Sequence, residues 1–235
     1  MEKIIIQIRK ELKQKGKAEL REVEQRFFKE KIKSHGVRSA EVVKIGRKYF
    51  QEIKNTGKEN IFSLVEQLFQ TGYNDEARIA CDWSYNVKKE YSSRDFSAFE
   101  KWIKKYIDNW AKCDTFCNHT VGDFLEKYPA YIKNLKKWTA SKNRWLRRAS
   151  AVSLIVPARK GKFLPDIFEI AGKLMLDEDD MIQKGYGWML KVASEANEKK
   201  VFDYVMKNKA KMLRTALRYA IEKMPKKLKQ KAMAK

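Results

Sequence analysis

Trp110 and Asp114 stand four residues apart in the segment Asn-Trp-Ala-Lys-Cys-Asp (109–114), within a chain of 235 residues whose formal net charge is +22. On a helix an i, i+4 pair points to one side, so the indole and the carboxylate share a face. Two further segments carry groups of related kinds. Arg144, Arg147 and Arg148 form a basic ridge near Lys136, Lys137 and Lys142, and Gly185-Tyr-Gly-Trp188 sets another indole behind two glycines. A carboxylate in a partly dehydrated site stabilises positive charge developing at a reacting centre. Indole faces attract cations, and guanidinium forks take phosphate oxygens in pairs. An acid among indoles on a strongly cationic protein suits a polyanionic partner that holds one positively charged group.

Residue types alone leave plainer readings open. Aspartate is a common helix cap or ion-pair partner. A tryptophan on an amphipathic helix is ordinarily core, and that is the assignment for Trp83, Trp102, Trp138 and Trp145. A solvated helix face is adequate for Arg147, which projects about 100° away from Arg148 and cannot share its role. Gly185 and Gly187 each weaken a helix by about 1 kcal/mol relative to alanine. Close approach of backbone to a neighbour or to a ligand would explain them. Cys113, Cys117 and His119 invite a metal reading, but C-x3-C-x-H lacks a fourth ligand nearby and the only other histidine is His35. Structural zinc is almost always four-coordinate, so the cysteines are expected to pack as small apolar residues. No metal or cofactor is expected; no Gly-rich phosphate loop and no Ser-His-Asp order stand out.

The elements that must position these groups are helices. Val42, Ile45, Tyr49 and Ile53 follow a helical rhythm, as do Ile61, Leu64, Val65, Leu68 and Phe69, then Phe96, Phe99, Ile103, Tyr106 and Ile107. Breaks fall at Gly57, Gly72, Ser92-Ser93, before Pro129, around Ser141, at Gly161 and near Asn197, with Asn74, Ser93 and Asp179 placed to cap the runs that follow. Only 4 prolines and 10 glycines leave little material for an all-β fold. A helix pair takes roughly 35 to 40 residues, close to HEAT and armadillo periods. The spacing therefore predicts an all-α fold of HEAT-like antiparallel helical repeats, stacked into a curved solenoid with a basic concave face. A simple helical bundle is the other arrangement this pattern permits. No linker is visible, so residues 1–235 read as a single domain, with 223–235 a frayed basic tail.

The balance of 52 basic against 30 acidic residues, with a sequence pI near 9.8, is the usual footprint of a nucleic-acid binder. Three cysteines, an odd and clustered set, argue against a disulfide framework. The start, Met-Glu-Lys-Ile-Ile-Ile-Gln-Ile-Arg-Lys, is too short in apolar residues for a signal peptide. No segment approaches the ~20 apolar residues of a membrane span. The expected location is cytoplasmic and nucleoid-associated, with no membrane partner.

The combination resembles the bacterial and archaeal DNA alkylation repair glycosylases of the AlkD type, built from HEAT-like repeats. The similarity runs over nearly the whole chain, with checkpoints at Gly36-Val-Arg-Ser-Ala-Glu41, Trp110 with Asp114, Arg148 and Trp188. The resemblance implies a monofunctional glycosylase, acting as a monomer on double-stranded DNA that contains alkylated bases. It would release cationic N3- and N7-alkylpurines without base flipping. It implies Asp114 as the catalytic aspartate, Trp110 and Trp188 as walls flanking the lesion nucleotide, and Arg148 as the phosphate contact. Arg144 and Arg147 are taken as neighbouring DNA contacts. Arg38 becomes a backbone contact at a helix-entry turn, where Ser39 is expected to cap a helix starting near Ala40. Two departures bear on lesion preference: Asn109 where related sequences often carry an aromatic, and Phe27 where a tyrosine occurs. The competing functions are a non-catalytic relative that binds distorted or branched DNA and a helical-repeat interaction scaffold.

Overall fold

The computed structural model describes residues 2–234, Glu2 by its backbone alone. It is 75% helical, and among the described residues no strand forms. The all-α fold read from periodicity is the one observed.

The chain divides into two compact units, residues 1–116 and 117–235. The first unit holds α1 (Glu2–Lys15), α2 (Ala18–Gln25), α3 (Ser39–Ile53), α4 (Lys58–Gln70), α5 (Asn74–Asn86), α6 (Asp95–Tyr106) and α7 (Trp110–Phe116). α5 packs on α3, α4 and α7, while α1 lies on α3 and α4. The predicted stripes are the core: Val42, Ile45, Tyr49 and Ile53 on α3, the five apolar positions of α4, and Phe96, Phe99 and Ile103 on α6 are all buried. Phe69, Phe99, Trp102 and Phe116 meet edge-on or tilted at centroid distances of 5.8 to 5.9 Å, the preferred geometry of ring quadrupoles. Trp83 is buried and its indole N–H donates to the Gly46 carbonyl at 2.9 Å. α2 differs from its neighbours in having no buried residue.

The second unit opens with a π-helical turn (Cys117–Val121), followed by α8 (Gly122–Lys127), α9 (Ile132–Trp138), α10 (Arg144–Val152), α11 (Ile155–Arg159), α12 (Leu164–Leu174), α13 (Asp180–Asn208), α14 (Arg214–Ile221) and α15 (Lys226–Met233). α13 packs on α10, α11, α12 and α14. It is bent where Asn197 leaves helical geometry (φ −141°, ψ 50°), the break expected there. Trp138 and Trp145 are buried as assigned.

Three local expectations are corrected. Ser39 does not cap a helix; it is the first residue of α3, and the Arg38 carbonyl receives the Glu41 and Val42 N–H groups. Asn74 and Ser93 make no cap either, since α5 and α6 begin after Tyr73 and Arg94 with no side-chain cap bond; Asp179 does cap α13, accepting from the Met181 N–H. The tail expected to fray from 223 instead continues as α15, with Ala232 buried.

Candidate active site

α7 carries the Trp110/Asp114 pair, and its first turn is fixed to the α4–α5 connection by polar bonds. The Asn109 carboxamide oxygen accepts the Lys112 N–H at 3.1 Å, an N-cap, while its nitrogen donates to Asn74 Oδ1 at 2.9 Å. Lys112 is buried, and its ammonium donates to the Gly72 carbonyl at 2.8 Å and to Asp108. A buried ammonium is tolerated only with such partners. Asn109 is therefore a buried, inward-facing cap. Phe27, the other departure, is 69% exposed.

Trp110 is half-buried, and its indole is already oriented. Its N–H donates to the Phe27 carbonyl at 3.2 Å, and Phe28 stacks on the ring at 5.2 Å with an 18° interplanar angle. Beside it lies a largely apolar cavity of about 380 Å³ in the first unit, whose walls include Phe27, Phe28, Arg38, Val42, Cys81 and Trp110. Asp114 sits one turn beyond Trp110 on α7, half-buried and outside that lining. The i, i+4 relation expected for the pair is thus realised in a helix.

Arg38 is exposed at the entry to α3, and the loop leading to it is held by the start of α5. The Asp75 carboxylate accepts from the Ser34 hydroxyl and from the N–H groups of His35 and Val37. His35 is buried, stacks on Tyr73 at 4.1 Å and bonds to Glu76 at 3.1 Å. Burial pushes the Glu76 carboxyl up, but the bonds from His35, Arg9 and Thr71 outweigh it and hold the group below its ordinary value. Gly36 adopts φ +75°, and a Cβ there would strike the Lys17 carbonyl, so the glycine that opens the Gly-Val-Arg-Ser motif serves this crossing.

In the second unit all three arginines of α10 have partners within the fold. Asn143 caps the helix by accepting from the Trp145 and Leu146 N–H groups. Arg144 pairs with Asp179 at 2.9 Å and its guanidinium lies 5.1 Å over the Trp145 ring. Arg147 pairs with Asp177 at 2.6 Å and donates to the Ser141 carbonyl. Arg148 is 5% exposed and donates to the Met181 carbonyl in the first turn of α13. Arg147 and Arg148 thus have separate partners, as their angular offset requires. The Arg148 guanidinium also lies 3.5 Å from where a Gly185 Cβ would stand. Gly185 and the half-buried Trp188 are i, i+3 on α13, so Arg148 and Trp188 approach one side of that helix. Gly187 faces the other way, against α14: a Cβ there would lie 2.8 Å from the Ala216 carbonyl.

Sequence reasoning missed Phe28, Lys112 and the Asp75–His35–Glu76 clamp. The adjacent Phe27 and Phe28, following a polar helix, were the visible signal for the first. Nothing in the spacing pointed to the clamp, whose partners are 40 residues apart.

Residues 8–224 match the DNA alkylation repair enzyme family, and the chain belongs to that family; its role is in DNA repair and its partner is DNA. No curated protein matches it in sequence. Among solved structures it is similar to a predicted DNA alkylation repair enzyme from Enterococcus faecalis, with a TM-score of 0.80 and 17% identity over 90% of this chain and 98% of the other. At that identity the likeness speaks for the fold. No helix among the described residues is long and apolar enough to cross a membrane.

Proposed function

We propose that the protein is a monofunctional DNA glycosylase that hydrolyses the N-glycosidic bond of positively charged N3- and N7-alkylated purines, such as 3-methyladenine and 7-methylguanine, in duplex DNA. Alkylation at N3 or N7 makes the base cationic, so it departs neutral with the bonding electron pair and needs no general acid. The sugar left behind is oxocarbenium-like, and an ionised carboxylate stabilises it most as charge develops. Asp114 takes that role and orients the water whose oxygen bonds to the sugar carbon; the water's proton passes to solvent. Trp110 and Trp188 offer indole faces to the cationic nucleotide, which stays in the duplex. Arg148 is the phosphate contact that the family resemblance implies, and Arg38, exposed at its turn, touches the backbone. Arg144 and Arg147 reach phosphate only by sharing guanidinium groups already paired with Asp179 and Asp177.

The observation that carries this reading is Trp110 and Asp114 one turn apart on a helix whose first turn is locked by Asn109 and Lys112. A stiff mount is what a carboxylate needs to act without reorganisation. The protein acts as a monomer in the cytoplasm, at the nucleoid. The test is base release from matched duplexes bearing 7-methylguanine, 3-methyladenine, uracil or hypoxanthine. Release of the two methylpurines alone is expected. Efficient uracil excision contradicts the mechanism, and tight binding to branched DNA with no release from any duplex favours the non-catalytic alternative.

A further inference from the structure

The second unit ends in a concentration of positive charge that its own fold does not neutralise. Between Tyr204 and Lys235 eleven residues are basic and only Glu222 is acidic, and Glu222 is paired with Lys191. Lys223 pairs with Glu195. Lys207, Lys211, Arg214, Arg218, Lys227 and Lys231 are exposed, and among the described residues none of them has an ion pair.

Elsewhere in the molecule several helices carry ion pairs four residues apart: Arg78 with Asp82, Lys104 with Glu100, Lys173 with Glu169, Lys199 with Asp203. On α14 and α15 no such pair forms among the described residues. Arg214 and Arg218 are i, i+4 on α14, and Lys227 and Lys231 are i, i+4 on α15, the spacing at which like charges destabilise a helix. These side chains are not on a loose tail. The Lys209 ammonium donates to the Lys231 and Ala234 carbonyls at 3.3 and 2.7 Å, tying the turn after α13 to the C-terminal end of α15, where a cation is favoured by the helix dipole. Lys207 and Lys211 stand two residues either side of Lys209 in sequence, and Lys227 and Lys231 lie on the helix that Lys209 tethers. Ordering like charges costs folding free energy through self-repulsion, and a polyanion repays it. α15 lies outside residues 8–224, the part of the chain that matches the family.

We propose that Lys207, Lys211, Lys227 and Lys231 form a second, sequence-independent contact with the phosphate backbone of duplex DNA, separate from the residues proposed for lesion chemistry. The proposal rests on DNA being the partner but not on glycosylase activity. Each phosphate contact by a cation adds about 0.9 to the negative slope of log affinity against log salt. Replacing all four lysines by glutamine keeps helix-forming side chains and removes four charges. The slope for an undamaged duplex is then expected to flatten by about 2 to 4. A control with the same charge change at Lys160, Lys162, Lys173 and Lys199, each ion-paired, is expected to move it much less. Arginine at the four positions keeps the slope, and circular dichroism confirms that both glutamine sets are folded.

An unchanged slope, or an equal change in the control, overturns the proposal. So does a loss of binding to phosphatidylserine vesicles with DNA binding intact, which would make the patch a lipid contact. The two readings separate cleanly. A wild type that releases no base but shows the slope difference refutes the glycosylase and keeps the patch; normal release with no slope difference does the reverse.

Discussion

Gly185 and Gly187 flank one residue of α13, yet alanine at the two positions is expected to act with opposite sign. At Gly187 a Cβ would stand 2.6 Å from the Tyr219 Cβ and 2.8 Å from the Ala216 carbonyl oxygen. Neither atom is the end of a flexible side chain, so α13 and α14 must separate. Overpacking of this kind costs about 1–3 kcal/mol, and the helix-propensity gain of about 1 kcal/mol recovers only part of it. A net loss centred on about 1 kcal/mol lowers Tm by roughly 2–4 °C for a chain of this size. At Gly185 the nearest atoms are Arg148 Nη1 at 3.5 Å, Arg148 Cγ at 3.6 Å and a Val152 methyl at 3.7 Å, which is ordinary contact. There the propensity gain survives, and Tm is expected to rise by roughly 1–4 °C. Calorimetry of the two variants beside wild type is the assay. Because Trp188 is the next residue, base release by Gly187→Ala should fall as well, while Gly185→Ala keeps it. A Gly187→Ala protein as stable as wild type would refute the close packing of α13 on α14.

Other expectations follow from the same contacts. Phe28→Ala removes a stacking partner worth about 0.5–1.5 kcal/mol, so single-turnover base release should slow about two- to tenfold with affinity for undamaged duplex unchanged; an unaltered rate refutes the clamp on Trp110. Arg148→Ala should destabilise by about 2–4 kcal/mol, leaving a void and the Met181 carbonyl without its donor. Arg148→Met should recover much of that stability without recovering duplex affinity, and recovery of both removes Arg148 from the phosphate contacts. Glu76 is held below its ordinary value of 4.5, so its contribution is fully present above about pH 4.5 and is lost as pH falls through the lower folded value. Acid unfolding of Glu76→Gln, followed by fluorescence, should begin from a lower stability and show a flatter pH dependence over that window; a slope equal to wild type refutes the linkage.

What the sequence disclosed and what it hid divide along a physical line. The apolar stripes of α3, α4 and α6 were legible because a 3.6-residue period is a local property, and they are buried where expected except at Tyr106, which is half-buried. The shared face of Trp110 and Asp114 was legible for the same reason. Helix starts were less so: Asn74 looks like a cap by residue type, but its side chain instead bonds across to Glu24 and Asn109. The inward orientation of Asn109 was hidden for the same reason, since a polar residue beside a tryptophan gives no sign of which way it faces. The partners of Arg144 and Arg147 lie 30 or more residues away on the approach to α13, and only tertiary packing shows that this basic ridge is ion-paired. The C-terminal lysines read as a solvated tail because composition does not show that Lys209 caps α15.

The central claim is that the Asp114 charge drives base loss. Single-turnover release of 7-methylguanine from a duplex, compared between wild type and Asp114→Asn at saturating enzyme, tests it most directly. The account predicts measurable release by wild type and a rate lower by at least about a hundredfold in the variant, the scale of losing a preorganised transition-state stabiliser, with affinity for an abasic-analogue duplex within several-fold of wild type. Near-normal release by Asp114→Asn would contradict it.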